Sequence, residues 1–422
     1  MPFVFFETFG CQMNVADSDA LAAVLLERGF AKTERAADAD LIVINTCSVR
    51  EHAEQRALAH IAEHAAHKRQ RKKNQKIWVV GCMAQRMGEK LRHDFPGVDR
   101  VIGARDFEKF VQGIDTALAA PKPAKKGAHE ENAVSRFVPI MRGCDNRCAY
   151  CVVPQVRGPE VSLPALRIED AVRSLVDKGA KEVTLLGQNV NSYHDGGTNF
   201  PGLLRRIHSI DGLERIRFTT SHPKDCSEEL VRAMAELPKL CKHLHLPVQS
   251  GSSRVLGLMN RKYDRERYLR LIDMIRHHVP GIDITTDVMV GFPTEAENDF
   301  SDTVSLFKAV RFTAAFMFEY SKRDNTPAAS MGDDVAQNVK QRRLRELIDL
   351  QTAITKRHYA AMEEKTVPVL FTGRQDGGEK LWMGQDFGCK RVLAACNDSL
   401  AGMILPMRVL HSTGMTLVCE RT

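Results

Sequence analysis

No run of apolar residues in this chain is long enough to cross a bilayer: a span needs roughly 18 to 20, and no stretch of the 422 residues approaches that. The opening "MPFVFFETFG" carries no basic leader, so a cytoplasmic protein with no membrane partner is the simplest expectation. Neither sign of charge dominates. Sixty Lys and Arg against 53 Asp and Glu leave a formal charge of +7, which permits a polyanionic partner without demanding one. No solenoid-type repeat is present, and none of the eleven cysteines comes with an export signal. A disulfide framework is therefore unexpected, and thiolates that bind metal or do chemistry are the natural alternative.

The remaining pattern divides the chain in three. Over residues 1–118, "PFVFFET", "DLIVINT", "KIWVVG" and "DRVIGA" read as strands, and "DSDALAAVLLERG" and "REHAEQRALAHIAEHAAHK" as helices of period 3.6. This alternation predicts an α/β domain with an open parallel sheet. Residues 119–131, "AAPKPAKKGAHEE", have no apolar period and read as a linker. Over residues 132–360 a strand-then-helix unit recurs six times, with strands "RFVPIMR", "EVTLLGQ", "RIRFTTS", "KHLHLPV", "DITTDVMVG" and "AAFMFEYS". That is a partial TIM-type (β/α)6 barrel, closed off by a long charged helix at about 335–364, with its chemistry expected at the carboxyl ends of the strands. Residues 363–422 read as a small β-barrel.

The cysteines fall on those strand ends. Cys144, Cys148 and Cys151 lie in "GCDNRCAYCVVPQVRG" after the first barrel strand, with no fourth Cys or His at short spacing; the nearest following histidine is His194. Thiolates suit zinc or iron–sulfur clusters, but structural zinc closes its shell with four ligands. In the first domain Cys11 ("TFGCQMN"), Cys47 ("NTCSVRE") and Cys82 ("GCMAQR") each follow a strand, each flanked by Gly or Thr. Ligands of open α/β sheets gather beyond the carboxyl ends of the strands, so these three are placed to share a second site. Any one of them alone would read as a small buried apolar residue. Cys226, Cys241, Cys389, Cys396 and Cys419 show no ligand spacing and read as structural.

The CxxxCxxC spacing with Tyr150 before its last cysteine resembles the signature of radical S-adenosylmethionine enzymes. In order, "TFGCQMN", "NTCSVRE", "GCMAQR", the CxxxCxxC loop, "LLGQNVNSY" and the small C-terminal β domain resemble the methylthiotransferases over nearly the whole chain. Within that family, "GCQMN" and "SVRE" favour the branch acting on N6-dimethylallyladenosine at position 37 of tRNA. Branches acting on threonylcarbamoyladenosine or on a ribosomal protein aspartate are the same-class alternatives. A metal-stabilised RNA-binding module and an electron-transfer iron–sulfur protein are alternatives from other classes.

The resemblance implies a [4Fe-4S] cluster on Cys144, Cys148 and Cys151, whose open iron takes S-adenosylmethionine, and a second [4Fe-4S] cluster on Cys11, Cys47 and Cys82 that holds the sulfur to be delivered. It implies co-substrate contacts at Tyr150, at Gly187 and Gln188 for the amino group, and at Gln249, Val290 and Gly291 around the ribose and adenine. It also implies an electron donor such as flavodoxin or ferredoxin, a monomer, and a TRAM-like RNA-binding role for the C-terminal barrel. There Lys380, Lys390, Arg391 and Arg408 supply positive charge, and Trp382 and Phe387 are either stacking surfaces or core. The run "HKRQRKKNQK" (67–76) is a solvated helix end or a phosphate contact. His222, His243 and His245 read as hydrogen-bonded barrel histidines ahead of metal ligands. Asn325 stands where the family has Gly, as the next residue best suited to a left-handed turn.

Overall fold

The computed structural model describes residues 1–71, 74–117, 134–375 and 380–422; the expected linker 119–131 and two lysines of the basic run, Lys72 and Lys73, lie outside them. The chain forms two compact units. The first is Met1–Glu131 with Arg142–Asn146 and Cys151–Val161, and the second is Asn132–Met141 with Arg147–Tyr150 and Ser162–Thr422.

In the first unit five parallel strands, β1 (Phe3–Thr8), β2 (Ala31–Lys32), β3 (Leu41–Thr46), β4 (Lys76–Gly81) and β5 (Arg100–Gly103), lie in the order β2-β1-β3-β4-β5. Strand β3, "LIVINT", is buried at every residue, as a central parallel strand covered on both faces must be. Apolar clusters line both faces, one around Ile42, Ile44, Ile61 and Val79 and the other around Val4, Val43, Trp78 and Phe110. The register sets Thr8 opposite Asn45 and Thr46 opposite Gly81, so three strands end level. Cys11, Cys47 and Cys82 follow those ends. Helix α1 (Gln12–Glu27) starts five residues before the expected Asp17, because the Cys11 carbonyl already accepts from the amides of Asn14 (2.9 Å) and Val15 (3.3 Å). Helix α2 (Glu51–Arg71) follows β3, and the short α3 (Cys82–Met87) begins on Cys82 itself.

The second unit contains the six expected barrel strands: β6 (Ser135–Pro139), β7 (Glu182–Leu186), β8 (Arg215–Thr219), β9 (His243–His245), β10 (Asp283–Val290) and β11 (Ala314–Glu319). They form two parallel three-stranded halves, β8-β7-β6 and β9-β10-β11, joined where Ile216 and Cys241 exchange hydrogen bonds with Lys239 and Ile216 (2.8 and 2.9 Å). Among the described residues β6 and β11 do not pair, so the barrel stays open along one side. Helices such as Ala165–Asp177 and Arg265–His278 bury their apolar faces against the strands. The long helix α5, here Gln337–Ala360, binds the turn that leads into β11, through Gln351 to the Phe312 carbonyl (2.8 Å) and Thr355 to the Thr313 carbonyl (2.9 Å). Helix α4 (Val153–Arg157) belongs to the first unit. Asn325 takes φ +63°, the left-handed turn expected of it.

Strands β12 (Thr366–Arg374), β13 (Leu381–Gln385), β14 (Arg391–Ala395), β15 (Ile404–Ser412) and β16 (Leu417–Arg421) close a small barrel in the order β12-β13-β14-β16-β15. It seats on the amino ends of the large barrel's strands. Arg215, first residue of β8, donates to the carbonyls of Gln385 (2.7 Å) and Pro368 (3.0 Å) and lies 4.2 Å from the Phe387 ring centroid. Arg217 pairs with Glu182 (2.8 Å) and donates to the Asp386 carbonyl (2.7 Å). Lys390 forms a buried ion pair with Asp283.

These contacts correct part of the expected RNA surface. Lys390 and Trp382 are buried, and Trp382 belongs to the small barrel's core, donating to the Cys396 carbonyl. Phe387 lies against Arg215, and Arg408 is paired with Glu364 and Glu420. Lys380 and Arg391 remain exposed. The interior positions have an electrostatic reason, since Asp283 and the Arg215–Arg217 pair need partners at a seam that excludes water. Replacing Lys390 with Ala leaves the Asp283 carboxylate without its cation and should destabilise this seam by about 3–5 kcal/mol, read as early unfolding of the small barrel in a denaturant titration; an unchanged curve would show that the pair holds nothing together.

Candidate functional site

The first three cysteines are brought together by a clamp of buried amides. Asn14 donates to Asn45 Oδ1 (2.9 Å) and to the Thr46 carbonyl (3.0 Å), and Asn45 donates back to the Asn14 carbonyl (2.8 Å) and to Ser18 Oγ (3.0 Å). Both asparagines are fully buried, so each bond is made where water cannot substitute for it. Thr46 Oγ1 donates to the Val80 carbonyl (2.6 Å) and accepts from the Ala84 amide (3.3 Å), tying the Cys47 turn to the Cys82 turn. Glycine makes the approach possible. A Cβ on Gly10 (φ +123°) would stand 2.6 Å from Cys47 Cβ, and one on Gly81 (φ +98°) would stand 2.4 Å from Asn45 Oδ1.

The three sulfurs feel one another. Burial pushes the Cys82 thiol up to about 11; Arg157 opposes the rise, and the charges of Cys47 and Cys11 add to it. Burial and the charge of Cys11 likewise raise Cys47. A thiolate triad here therefore requires positive charge. Some comes from Arg157 at the end of α4, buried and held by Asp17 (2.9 Å), with Arg142 on the other oxygen of Asp17 (3.2 Å). Some comes from the amino end of α1, which starts at Cys11. The Val49 amide donates to Cys47 Sγ (3.3 Å).

The CxxxCxxC loop shows the same dressing of sulfur. In the first unit Asn146 Nδ2 lies 3.5 Å from Cys144 Sγ and the Val153 amide 3.4 Å from Cys151 Sγ. Gly143 has φ +74°, and a Cβ there would overlap the Pro159 carbonyl. In the second unit Arg261, buried, donates to Cys148 Sγ (3.3 Å), Tyr150 Oη (3.4 Å), Tyr263 Oη (3.0 Å) and the Pro247 carbonyl (3.1 Å). N–H donors aimed at cysteine sulfur are what iron–sulfur ligation uses to stabilise and tune the metal.

The residues expected around the co-substrate stand at the carboxyl ends of the large barrel. Gly187 closes β7, where a Cβ would meet Met141 Cγ at 2.5 Å. Gln249 takes φ +72° while its amide and carbonyl bridge to β10 (Asp287 carbonyl and Met289 amide, both 2.9 Å). A left-handed glutamine is a strained choice that sits most often at functional sites. Val290 is buried, and the Gly291 amide donates to Glu295 (2.6 Å), whose carboxylate pairs with Arg343 of α5 (2.9 Å). Tyr150 packs beside Ala149, Met259, Phe292 and Tyr320. Several buried oxygens at these strand ends have no hydrogen-bond partner among the described residues: Gln188 Oε1, Asn189 Oδ1, Thr220 Oγ1, Ser221 Oγ and Tyr320 Oη. Orphaned polar atoms gathered at the reactive end of a barrel suit a polar ligand such as S-adenosylmethionine. Beside them His222 is driven down to about 2 by burial and the charges of Arg261 and Lys224, so its ring is neutral; its Nδ1 accepts from the Lys224 amide (3.2 Å).

Asn14, Asn45, Asp17, Arg157 and Arg261 are absent from the site read from sequence. A signal existed for the two asparagines, each within three residues of a cysteine in "CQMN" and "NTC". None existed for Arg261, which is more than a hundred residues from Cys148.

Comparison with known proteins agrees with this geometry. Residues 138–307 match the Radical SAM superfamily, and residues 3–103 match a family described as Uncharacterized protein family UPF0004. The structure resembles the radical S-adenosylmethionine methyltransferase TsrM from Kitasatospora setae with cobalamin and a [4Fe-4S] cluster bound (TM-score 0.57, 15% identity, 78% of this chain and 77% of that one), a likeness of fold. This is a radical S-adenosylmethionine enzyme, of a superfamily that works with S-adenosylmethionine and a [4Fe-4S] cluster. The tRNA-2-methylthio-N(6)-dimethylallyladenosine synthase of Geotalea uraniireducens (strain Rf4) is 43% identical over 99% of this chain and 98% of its own length. That of Geobacter metallireducens is 42% identical over the same shares. The chain belongs to the family of tRNA-2-methylthio-N(6)-dimethylallyladenosine synthases. No helix among the described residues is long and apolar enough to cross a membrane.

Because Asn45 satisfies Asn14 and is satisfied by it, Asn45→Ala strands buried donors and acceptors and should cost about 1–3 kcal/mol of first-unit stability. Urea denaturation followed by Trp78 fluorescence measures it, and a loss below about 0.5 kcal/mol would mean that the clamp is not what holds these turns.

Proposed function

We propose that this chain methylthiolates tRNA at carbon 2 of N6-dimethylallyladenosine, at position 37 in the anticodon stem-loop. What supports the reading is two sets of three cysteines, neither with a fourth cysteine at ligand spacing in the sequence, in a chain 43% identical along its length to a named synthase of that product. In this reading Cys144, Cys148 and Cys151 hold one [4Fe-4S] cluster, and Cys11, Cys47 and Cys82 hold a second. When bound, the clusters and S-adenosylmethionine supply the radical that breaks an unactivated C–H bond and the sulfur that replaces the hydrogen, chemistry no side chain can do.

The chain's own residues bind and orient. Tyr150, Gly187, Gln188, Gln249, Val290 and Gly291 receive the co-substrate at the carboxyl ends of β7, β9 and β10. The Arg261 guanidinium stabilises negative charge at Cys148, and Arg157 does so at Cys82 and Cys11. The buried neutral His222 neither takes nor gives a proton near pH 7. A flavodoxin or ferredoxin as reductant, a monomeric state and a cytoplasmic location complete the reading.

Nucleoside analysis of tRNA from cells lacking this protein should show dimethylallyladenosine without its 2-methylthio form; persistence of that form would refute the substrate. Protein reconstituted without oxygen should carry about eight irons if both four-iron clusters fill, and Gly10→Ala, by pushing on Cys47, should lower this to about four. Iron near zero with stoichiometric zinc would remove the whole reading. Cys148→Ala should abolish reductive cleavage of S-adenosylmethionine while Cys11→Ala spares it. Equal loss in both variants would contradict the division of labour between the triads.

A further inference from the structure

One face of β1 carries a carboxylate where its neighbours are apolar. Phe5 and Phe9 pack with Ile42, Ile44, Ala57 and Ile61 in the cluster between the sheet and α2. Strand alternation puts Glu7, midway between them, on the same side. The helix-covered face of a parallel sheet is a costly place for a charge. Helix α2 keeps Glu7 ionised there: burial opposes its charge, but His64 and His60 outweigh burial and hold its carboxyl below the usual range.

The two histidines meet that carboxylate in a defined geometry. They stand four residues apart on α2, which stacks them on one side of the helix. Each takes one oxygen: His60 Nδ1 lies 2.8 Å from Glu7 Oε1, and His64 Nε2 lies 3.0 Å from Glu7 Oε2. Aromatic neighbours set the rings. His60 meets Phe9 edge-on with centroids 5.2 Å apart, and His64 meets Phe5 in the same way at 6.3 Å. One turn further along, Lys68 ties α2 to the Gly97 carbonyl (3.0 Å) and to Asp99 (2.5 Å), which anchors the helix that carries both rings.

Two imidazoles converging on one carboxylate make a ligand set as well as a hydrogen-bonded trio. One nitrogen from each ring and one carboxylate oxygen all lie within 4.8 Å of one another. Around zinc, with bonds of about 2.0–2.1 Å, tetrahedral ligand atoms stand about 3.3 Å apart. The two hydrogen-bonded contacts therefore need to open by about half an ångström, and no pair has more than about 1.5 Å to close. Imidazole and carboxylate are both zinc ligands, and a set of two histidines and one glutamate leaves the fourth position to water. The side-chain exposures fit such a site: His64 is 11% exposed, Glu7 21% and His60 35%, which gives an ion a way in on the His60 side. We propose that Glu7, His60 and His64 form a site for one divalent transition-metal ion, zinc by its ligand set, that fixes α2 to β1. Strand β1 leads directly into the Gly10–Cys11 turn, so the ion braces the element that carries the first cysteine. The inference does not depend on the function proposed above.

The test uses full-length protein reconstituted with iron in the absence of oxygen, so that zinc does not compete for empty cysteines, then dialysed against low-micromolar Zn2+. Wild-type protein should retain one zinc per chain beyond its iron. X-ray absorption at the zinc edge should show nitrogen and oxygen neighbours at about 2.0–2.1 Å and no sulfur at about 2.3 Å. His60→Ala and His64→Ala should each weaken zinc binding about a hundredfold, since losing even a group that only supports a ligand costs about 10–100-fold. Glu7→Gln keeps the size and a hydrogen-bonding oxygen, so it should fold as wild type does, and it should still lose about tenfold in zinc affinity. Iron content should be the same in all four proteins. Wild-type protein that retains no zinc overturns the proposal, whatever the variants do. So does a sulfur shell around the zinc, which would put the ion on cysteines, and so does equal zinc binding by wild-type protein and the histidine variants. Iron near zero, with zinc in a nitrogen and oxygen shell that the histidine variants lose, would uphold this site while removing the function proposed above.

Discussion

Cys11, Cys47 and Cys82 stand at three neighbouring strand ends, where burial comes first and the charge of a neighbouring cysteine second in opposing ionisation of Cys47 and Cys82, and any use of them as thiolates has to overcome both. Left alone, burial keeps the thiols protonated, as the raised values of Cys47 and Cys82 show. Gathering them as thiolates would take positive charge, of which the buried Arg157 and a helix start supply part, together with a scaffold rigid enough not to splay. The Asn14–Asn45 clamp and the glycines at positions 10 and 81 are that scaffold. Strand order does the coarse positioning. In the sequence β2-β1-β3-β4-β5 the chain reverses direction across the sheet at β1 and β3, which is where open α/β sheets receive ligands.

The large barrel solves a different problem with similar means. Its outer face is apolar and buried under helices, while its carboxyl rim collects oxygens that lack partners and a glutamine held in a left-handed conformation. Helix α5 fixes this rim from outside. Arg343 pairs with Glu295 and Lys340 with Asp333, and a Cβ on Gly291 would run into the Lys340 side chain. The "GFPTE" turn is thus shaped by a helix fifty residues further along the chain, and its substitution would be felt through α5 as much as through a ligand.

The legible part of the sequence was periodic or clustered. Every strand of the first unit except the two-residue β2, and all six of the large barrel, stand where alternating apolar runs put them, because a buried parallel strand leaves a composition that no loop shares. The cysteines were legible because they recur at strand ends in short motifs. Arg157 and Arg261 were not, since an arginine reads as surface until the fold shows it buried against sulfur. The start of α1 was missed because a helix can begin on polar residues when a backbone carbonyl, here that of Cys11, is already in place to receive them. Lys390 read as positive charge for RNA and Trp382 as either a stacking surface or core, and it is Asp283 and the small barrel's core that put both inside.

The small barrel caps the amino ends of the strands, with Arg215 and Asp283 as its anchor points, while the oxygen-lined rim lies at the other end. The eight residues of β10 set the length of that divide at about 25 Å. A nucleic acid that rested on the cap while presenting one base to the rim would have to travel that distance along the outside of the barrel. The enzyme would then measure its substrate as a ruler does, accepting a structured hairpin of sufficient reach and passing over a free nucleoside of identical chemistry.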